Sequence, residues 1–282
     1  MKAQTPQFRA VILAGERPDG SPLSQAFNVS ASVMVPVAGK PSLQRVMEAI
    51  GDSRQVHGGI ICGPTSAAVS EDEELESLLQ HPDFKWLEQA SGPAASAVAA
   101  LEKLGHFPAL LTAGDHALLT GEIVDDFCSQ ALSISINQEA DIQVSTRKAV
   151  SNFDLVIGFV PHELVVAAWP ESKRTITRFS DGHYCGSNLF AVLNPAGKRA
   201  LNFWRQAEAD RKHPWRIARR FGYRALFRYL FRRLSIEDAL KELSQTTGCR
   251  IGYVEVGFAR AAVDVDSLED QKLAEKILSA AS

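Results

Sequence analysis

Short apolar runs alternate with amphipathic segments along most of the chain. RAVILAG (9–15), VHGGIIC (56–62) and FPALLTAG (107–114) are continuous apolar runs, which predict buried strands. The segments between them, such as 42–50 and 94–104, carry apolar residues at helical spacing. This repetition predicts βαβ units, a mostly parallel sheet and helices on both of its faces, which together make a three-layer α/β/α fold.

The same alternation continues in the second half of the sequence. Strands are predicted at 141–146, 155–160, 187–193 and 251–256, and helices near 197–209, at 235–243 and from 268 onward. Because the sequence shows neither an internal repeat nor a linker, the simplest interpretation is one domain, 1–282, with a basic helical insert at about 211–245.

The charge distribution marks that insert. The formal net charge is −3, yet the stretch 211–233 contains nine Lys or Arg and no acidic residue, so the rest of the chain carries −12. Its arginines, Arg220 and Arg224 among them, recur every four residues and form a basic stripe on a helix. Three interpretations remain open: a solvated face, a lid that grips an anionic acceptor, or peripheral contact with an anionic membrane. Nucleic acid is not expected as a partner, because the acidic remainder would repel it.

The cysteines indicate the compartment. All four are far apart and form no CxxC pair, which excludes a disulfide scaffold and a zinc ribbon and indicates a reducing environment. The sequence also lacks an apolar run of the roughly 20 residues that a membrane span needs, and its first residues lack a signal-peptide pattern. We therefore expect a cytoplasmic protein; the sequence does not predict its oligomeric state.

Two loops near the amino terminus are candidates for binding phosphate. LAGERPDGSPLS (13–24) follows the first strand, where main-chain N–H groups can face a phosphate and Arg17 can add a positive charge. VPVAGKP (35–41) places Lys40 in a tight turn before a helix. The alternatives are an ordinary structural turn for the first loop and a solvated lysine in the second.

Three carboxylates are candidates for binding a metal. Asp115 follows the strand 107–114 in what we expect to be an exposed loop, where a carboxylate can hold Mg²⁺ against a nucleotide phosphate. The alternative is a loop aspartate bonded to its own backbone. Asp264 and Asp266 alternate, so they share one face of an extended segment, although Asp266 is also placed to cap the following helix.

Six short motifs occur in the order found in a known family. They are LAG (13–15), GKP (39–41), GPAASAVAAL (92–101), the aspartate at 115, DG…GSNLF (181–190) and DVDSLED (264–270). With these motifs the chain resembles the MobA-like NTP transferases, which are nucleotidyltransferases of the GT-A fold. The resemblance implies that a phosphorylated small-molecule acceptor attacks the α-phosphorus of a nucleoside triphosphate and that pyrophosphate leaves.

The resemblance also implies a role for each matching residue. The backbone of Leu13, Ala14 and Gly15 holds the base and ribose, and Ser91, Gly92 and Pro93 pack on the nucleobase. Arg17 lies near the triphosphate, while Asp115 and Asp266 coordinate Mg²⁺ with Asp264 as a candidate third carboxylate. Lys40 is a candidate to replace a phosphate-binding lysine of the relatives. Gly186, Ser187 and Asn188 face the acceptor. Independently of the resemblance, the lid interpretation of the basic insert assigns Arg220 and Arg224 to binding the acceptor.

One position departs from the family pattern. Relatives carry a lysine a few residues before the GKP-like turn, whereas the matching position in NVSASVMVPVAGKP (28–41) is Ser32. Losing one positive charge from a phosphate site removes several kcal/mol of transition-state stabilisation, roughly 3–4 for a single electrostatic donor. The alternative to an enzyme is therefore a catalytically degenerate nucleotide-binding or scaffold protein on the same fold.

Overall fold

A mixed central sheet organises the protein. The structure, a computed structural model, describes residues 7–16, 20–136, 152–210 and 232–280. Within these ranges one sheet has the strand order β10-β7-β9-β6-β1-β4-β5, with β8 paired to β9. Its strands are β1 (Phe8–Leu13), β4 (Val56–Cys62), β5 (Phe84–Leu87), β6 (Ala109–Ala113), β7 (Leu155–Pro161), β8 (Thr177–Arg178), β9 (His183–Val192) and β10 (Ile251–Glu255). A separate hairpin consists of β2 (Pro36–Val37) and β3 (Lys40–Pro41).

Helices follow most of the strands. They are α1 (Pro22–Phe27), α2 (Ser42–Gly51), α3 (Ser66–Ser70), α4 (Glu73–Leu79), α5 (Pro93–Leu104), α6 (Gly121–Ile136), α7 (His162–Ala168), α8 (Lys198–Ala209), α9 (Ile236–Thr247) and α10 (Leu268–Ala280). Among the described residues, no helix is long and apolar enough to cross a membrane.

The alternating side chains of β1 divide the interior into two cores. Ala10 and Ile12 belong to the core under α2 and α6, whereas Val11 belongs to the core under α5, α8 and α9. Because successive side chains of a strand point to opposite faces, this division places helices on both sides of the sheet. The predicted three-layer α/β/α fold with a mostly parallel sheet is confirmed.

One strand runs against the others. Strand β9 pairs antiparallel with both β6 and β7, while β1, β4, β5 and β6 are mutually parallel, as are β7 and β10. The apolar pattern of 187–193 does not encode strand direction, so the sequence predicts the strand but not its reversal. The carboxyl ends of the parallel strands and the start of β9 therefore lie at the same edge.

Local signals place most element boundaries correctly. Ser235 and Ser267 accept hydrogen bonds from the main chain of Asp238 and Asp270, as the capping-box spacing predicts. In the acidic run 71–79 the helix α4 begins at Glu73, because the side chain of Asp72 accepts a hydrogen bond from Leu75 N. The predicted strand 141–146 and the insert residues 211–231 lie outside the described residues, and the single-domain assignment stays a prediction.

The contact between β1 and β4 requires a glycine. Gly59 has a φ of +155°, and a Cβ atom built there would lie 1.9 Å from the carbonyl oxygen of Ala10. The register of the two strands also shifts between Phe8 and Ala10. A side chain at position 59 would push apart the two strands that carry the loops of the sheet edge.

Candidate active site

Main-chain hydrogen bonds join the loops at the carboxyl edge of the sheet. Ala14 N donates to Cys62 O at 2.8 Å, and Gly114 N donates to Leu13 O at 2.8 Å. Val265 N donates to the main-chain oxygen of Asp115 at 3.1 Å. The loop after β6 thus lies against residues 264–266, although about 150 positions separate them in sequence.

Four carboxylates gather there: Asp115, Asp264, Asp266 and Asp270, which we call the acidic site. Val265 is buried, whereas Asp264 is half-buried and Asp266 exposed, as the predicted alternation requires. Asp115 is half-buried rather than exposed as expected, and its Oδ1 is shielded from solvent without a hydrogen-bond partner. Desolvation, followed by the charges of Asp266 and Asp264, raises the pKa of Asp115 to about 8.

An arginine that the sequence motifs do not include balances part of this charge. The guanidinium of Arg174 contacts Asp264 Oδ1 at 2.8 Å and also contacts Asp270 Oδ1. Its side chain is only 8% exposed. Because a buried guanidinium needs anionic partners, this arginine holds residues 264–270 against the segment that follows α7.

The acidic site is not a preformed cage of three metal ligands. In the four described ranges, no three His, Cys, Asp or Glu side chains are arranged to hold a metal ion. Asp264 instead accepts hydrogen bonds from Arg174 and from Asn188, so its carboxylate is already engaged. Asp115 does fit a cation, because a buried carboxylate oxygen without a partner lacks the positive charge that a metal would supply. Mg²⁺ binding by Asp115 and Asp266 stays a prediction.

A bulge in β9 turns Asn188 toward the acidic site. Ile157 pairs with Phe190 while Phe159 pairs with Gly186, so β9 contains extra residues there. Asn188 has a φ of +52°, and its Nδ2 donates to Asp264 Oδ2 at 3.2 Å.

The three residues predicted to face the acceptor have different surroundings. Gly186 is exposed and Asn188 half-buried, and both stay candidates. Ser187 is buried, with its hydroxyl donating to Gly158 O at 2.8 Å. The hydroxyl of Ser187 therefore points into the sheet, and the expectation that residues 186–188 face an acceptor stays a prediction.

The predicted base and ribose loop is held by a glutamine side chain. Gln89 Oε1 accepts from Glu16 N at 2.6 Å, and Gln89 Nε2 donates to Glu16 O at 2.8 Å. With Ala14 N and Leu13 O already bonded to neighbouring loops, Gly15 is the exposed member of the predicted trio. Arg17 lies outside the described residues.

The two positions at which a phosphate-binding lysine was considered have other contacts in this structure. Where relatives carry lysine, the main-chain N–H of Ser32 donates to the carboxylate of Glu16. Lys40 is exposed, and its Nζ lies 2.8 Å from Glu48 Oε1. The structure therefore places Lys40 in an ion pair on the surface, and its role at the phosphates stays a prediction.

The turn predicted to pack on the nucleobase leads into α5. Ser91 and Pro93 are exposed and Gly92 is half-buried. The carboxylate of Glu208 accepts from Ala94 N at 3.4 Å, and a Cβ atom at Gly92 would lie 3.0 Å from its Oε2. The sequence motifs omit Glu208, which brings the end of α8 to this turn.

A neutral histidine lies beneath the acidic site. His116 is buried, and desolvation lowers its pKa to about 4 despite the nearby charge of Asp264. The imidazole is therefore uncharged at neutral pH, so it does not offset the acidic charges around Asp115.

The residues that the sequence motifs missed share one property. Arg174, Gln89 and Glu16 act through contacts between loops that are distant in sequence, so no local spacing marks them. Charge balance is the signal that could have indicated Arg174. A cluster of carboxylates favours a nearby cation, and the segment 168–176 contains Lys173 and Arg174. The predicted acceptor residues Arg220 and Arg224 lie outside the described residues.

Comparisons with known proteins agree with this architecture. Among solved structures, a hypothetical transferase from Thermus thermophilus is 24% identical with a TM-score of 0.71, and the match covers 94% of this chain and 99% of that chain. A 4-diphosphocytidyl-2C-methyl-D-erythritol synthase from Anaerococcus prevotii is 11% identical, with a TM-score of 0.53 and coverages of 97% and 96%. CMP:2-keto-3-deoxy-manno-octonic acid synthetase in complex with CTP is 11% identical, with a TM-score of 0.55 and coverages of 99% and 100%.

At these identities the three structures establish a common fold. A comparison with curated proteins found no matching sequence. The model of the MobA-like NTP transferase domain matches residues 10–245, which is most of the chain. The chain therefore belongs to the MobA-like NTP transferase family, as its motifs predicted, and has the fold of nucleotidyltransferases.

Proposed function

We propose that the protein transfers an NMP group from a nucleoside triphosphate to a phosphorylated small-molecule acceptor. A phosphate oxygen of the acceptor attacks the α-phosphorus, the bond to the bridging oxygen of the β-phosphate breaks, and pyrophosphate leaves with the electron pair. The observation that carries the proposal is Asp115, a carboxylate with one buried, unpartnered oxygen at the edge of the sheet where α/β proteins bind ligands. One structural neighbour is described in complex with CTP, which supports a nucleotide as donor.

The proposed division of labour follows the geometry. Asp115 and Asp266 would hold Mg²⁺, which when bound neutralises phosphate charge. Arg174 and Asn188 fix the carboxylate of Asp264, so that it does not rotate toward incoming phosphates. The exposed main chain at Gly15 would meet the nucleotide. Phosphoryl transfer depends mainly on positioning and charge neutralisation, and these groups are of the types that the reaction needs.

The alternative is a nucleotide-binding protein that has lost catalysis. Two observations favour it. The carboxylate of Glu16 accepts a hydrogen bond from the N–H of Ser32, the position of the family's lysine. Lys40 forms an ion pair with Glu48. Both place carboxylates where a triphosphate site would use cations. Besides Arg17, which lies outside the described residues, the basic insert is a further source of positive charge, and its three interpretations, including peripheral membrane contact, stay predictions.

We also propose that the protein is cytoplasmic. All four cysteines are buried and free, as expected for a protein of the reducing cytoplasm.

Pyrophosphate release distinguishes the enzyme from the degenerate alternative. The assay supplies Mg²⁺, each of the four NTPs and a panel of phosphorylated sugars and amino alcohols. We expect turnover with at least one pair, its loss in Asp115→Asn and its retention in Asp83→Asn, where the side chain is 72% exposed. Nucleotide binding without turnover across the panel would favour the alternative, and full turnover in Asp115→Asn would overturn the assigned role of Asp115.

A further inference from the structure

A cavity of about 640 Å³ adjoins the acidic site. It opens between residues 168–174, which follow α7, and residues 267–276 at the start of α10. Arg174 and Asp270 line it and are also the ion pair that anchors the acidic site. A volume of this size lies within the range of roughly 300–1,000 Å³ that is typical of small-molecule pockets.

Charged side chains of both signs line the cavity. Arg174 pairs with Asp270 and with Asp264, and the other charged residues of the lining are two lysines and two glutamates: Lys173, Lys276, Glu171 and Glu269. In the described part of the chain none of these four side chains takes part in a salt bridge. A purely anionic ligand would satisfy the lysines and be repelled by the glutamates, so the lining fits a ligand that carries both signs.

An aromatic side chain adds a third feature. Trp169 lines the cavity while its ring packs against the hydrophobic core, which holds it in place. A fixed indole near carboxylates is a favourable partner for an ammonium group through cation–π attraction. Leu273 contributes further apolar surface for a short carbon chain.

We propose that this cavity binds the acceptor, and that the acceptor is a zwitterion with a phosphomonoester and an ammonium group. Lys173 and Lys276 would engage the phosphate, while Glu171, Glu269 and Trp169 would engage the ammonium. The inference rests on the proposed function, because an acceptor must bind next to the acidic site, where its phosphate would attack the α-phosphorus of the nucleotide. It narrows the acceptor from any phosphorylated small molecule to the phosphate esters of amino alcohols and related amines.

Calorimetric titration of the full chain with three probes tests the chemistry. Phosphoethanolamine carries both groups, glycerol 3-phosphate only the phosphate, and ethanolamine only the ammonium. We expect phosphoethanolamine to bind at least tenfold more tightly than either of the others, since each probe lacking one charge leaves half of the lining unpaired. Equal affinity for phosphoethanolamine and glycerol 3-phosphate, or no binding of phosphoethanolamine at about 10 mM, would overturn the proposal.

Variants of residues on α10, each with a matched control, test whether the ligand binds in this cavity. Glu269→Gln and Lys276→Gln should each weaken phosphoethanolamine binding about tenfold. The matched controls Glu275→Gln and Lys272→Gln lie on the same helix and do not line this cavity, so they should leave the affinity unchanged. Equal effects in test and control variants would overturn the assignment to the cavity.

Nucleotide binding and pyrophosphate release, measured on the same variants, separate this inference from the proposed function. If pyrophosphate release occurs with an acceptor whose KM is unchanged in Glu269→Gln and Lys276→Gln, the cavity is not the acceptor site and the proposed function stands. If the zwitterion binds in the cavity while no NTP binds, the proposed function fails and the cavity is not an acceptor site. A rise in acceptor KM with unchanged NTP affinity is the result that both proposals expect.

Discussion

Replacing Asp115 with asparagine should stabilise the metal-free protein at neutral and alkaline pH. The pKa of this carboxyl rises from an ordinary value of 3.8 to about 8 in the folded protein, because it is desolvated and faces Asp266 and Asp264. Between these two pH values the folded state holds a proton that the unfolded state releases. Unfolding is therefore favoured as the pH rises, and the stability that the bound proton supplies is lost by about pH 8.

The size of the effect follows from the same shift. One pH unit corresponds to about 1.36 kcal/mol, so the full shift of roughly 4 units gives an upper limit near 6 kcal/mol. Asp115 is half-buried, and its partial exposure to solvent reduces this penalty. We therefore expect Asp115→Asn to gain about 2 kcal/mol relative to the wild type near pH 8 and almost nothing near pH 4.

Equilibrium urea unfolding in a chelator, followed at several pH values, measures this difference. Asp83→Asn is the control, because its side chain is 72% exposed and removing an exposed charge should have little effect on stability. Adding Mg²⁺ at pH 8 should stabilise the wild type, by about 2.7 kcal/mol at a hundred times the dissociation constant, but not Asp115→Asn. A stability difference between the variant and the wild type that is the same at pH 5 and pH 8 would refute the reasoning.

Three further predictions concern the framework of the fold. Asp154→Asn should lose about 1–3 kcal/mol of unfolding free energy at pH 7, since its buried carboxylate accepts from Arg250 and Asn194. Burial alone would raise the pKa of Asp154, but these hydrogen bonds lower it on balance, so the loss should shrink as pH falls through that lowered value, which unfolding in acid checks. Gly59→Ala should cost about 3 kcal/mol or more, because its Cβ would overlap the Ala10 carbonyl oxygen; a denaturation midpoint equal to wild type contradicts this. Arg174→Gln should destabilise the protein by about 3–5 kcal/mol yet tighten Mg²⁺ binding in a titration, whereas weaker Mg²⁺ binding would contradict its role as a counter-charge.

The sequence predicts features that depend on neighbouring residues. Apolar periodicity located most strands and helices, and the caps at Ser235 and Ser267 marked where two helices begin. Asp115 was found because it follows a strand at the edge where α/β sites form. Each of these signals lies within a few residues, which is the range over which backbone propensity and side-chain capping act.

Features that depend on contacts between distant segments could not be predicted from local patterns. The direction of β9, the bulge at Asn188 and the pairing of Arg174 with Asp264 and Asp270 are decided by segments far apart in sequence. Ser187 illustrates the consequence, since the bulge turns its hydroxyl inward to Gly158 instead of toward a ligand. The burial of Asp115 likewise arises from residues 264–266, which a local pattern at 107–120 does not include.

The hydrogen bond from Val265 to Asp115 also bears on how the molecule folds. Contacts between residues so distant in sequence form late, because the chain must first lose the entropy of closing a long loop. Asp264, Asp266 and Asp270 all lie beyond the 10–245 range that defines the family match. During synthesis the sheet can therefore assemble around β1, β4 and β6 before the carboxylates meet. Until α10 packs, such an intermediate would have the sheet of the nucleotidyltransferase fold but not its acidic site. The proposed activity would therefore appear only when folding is complete.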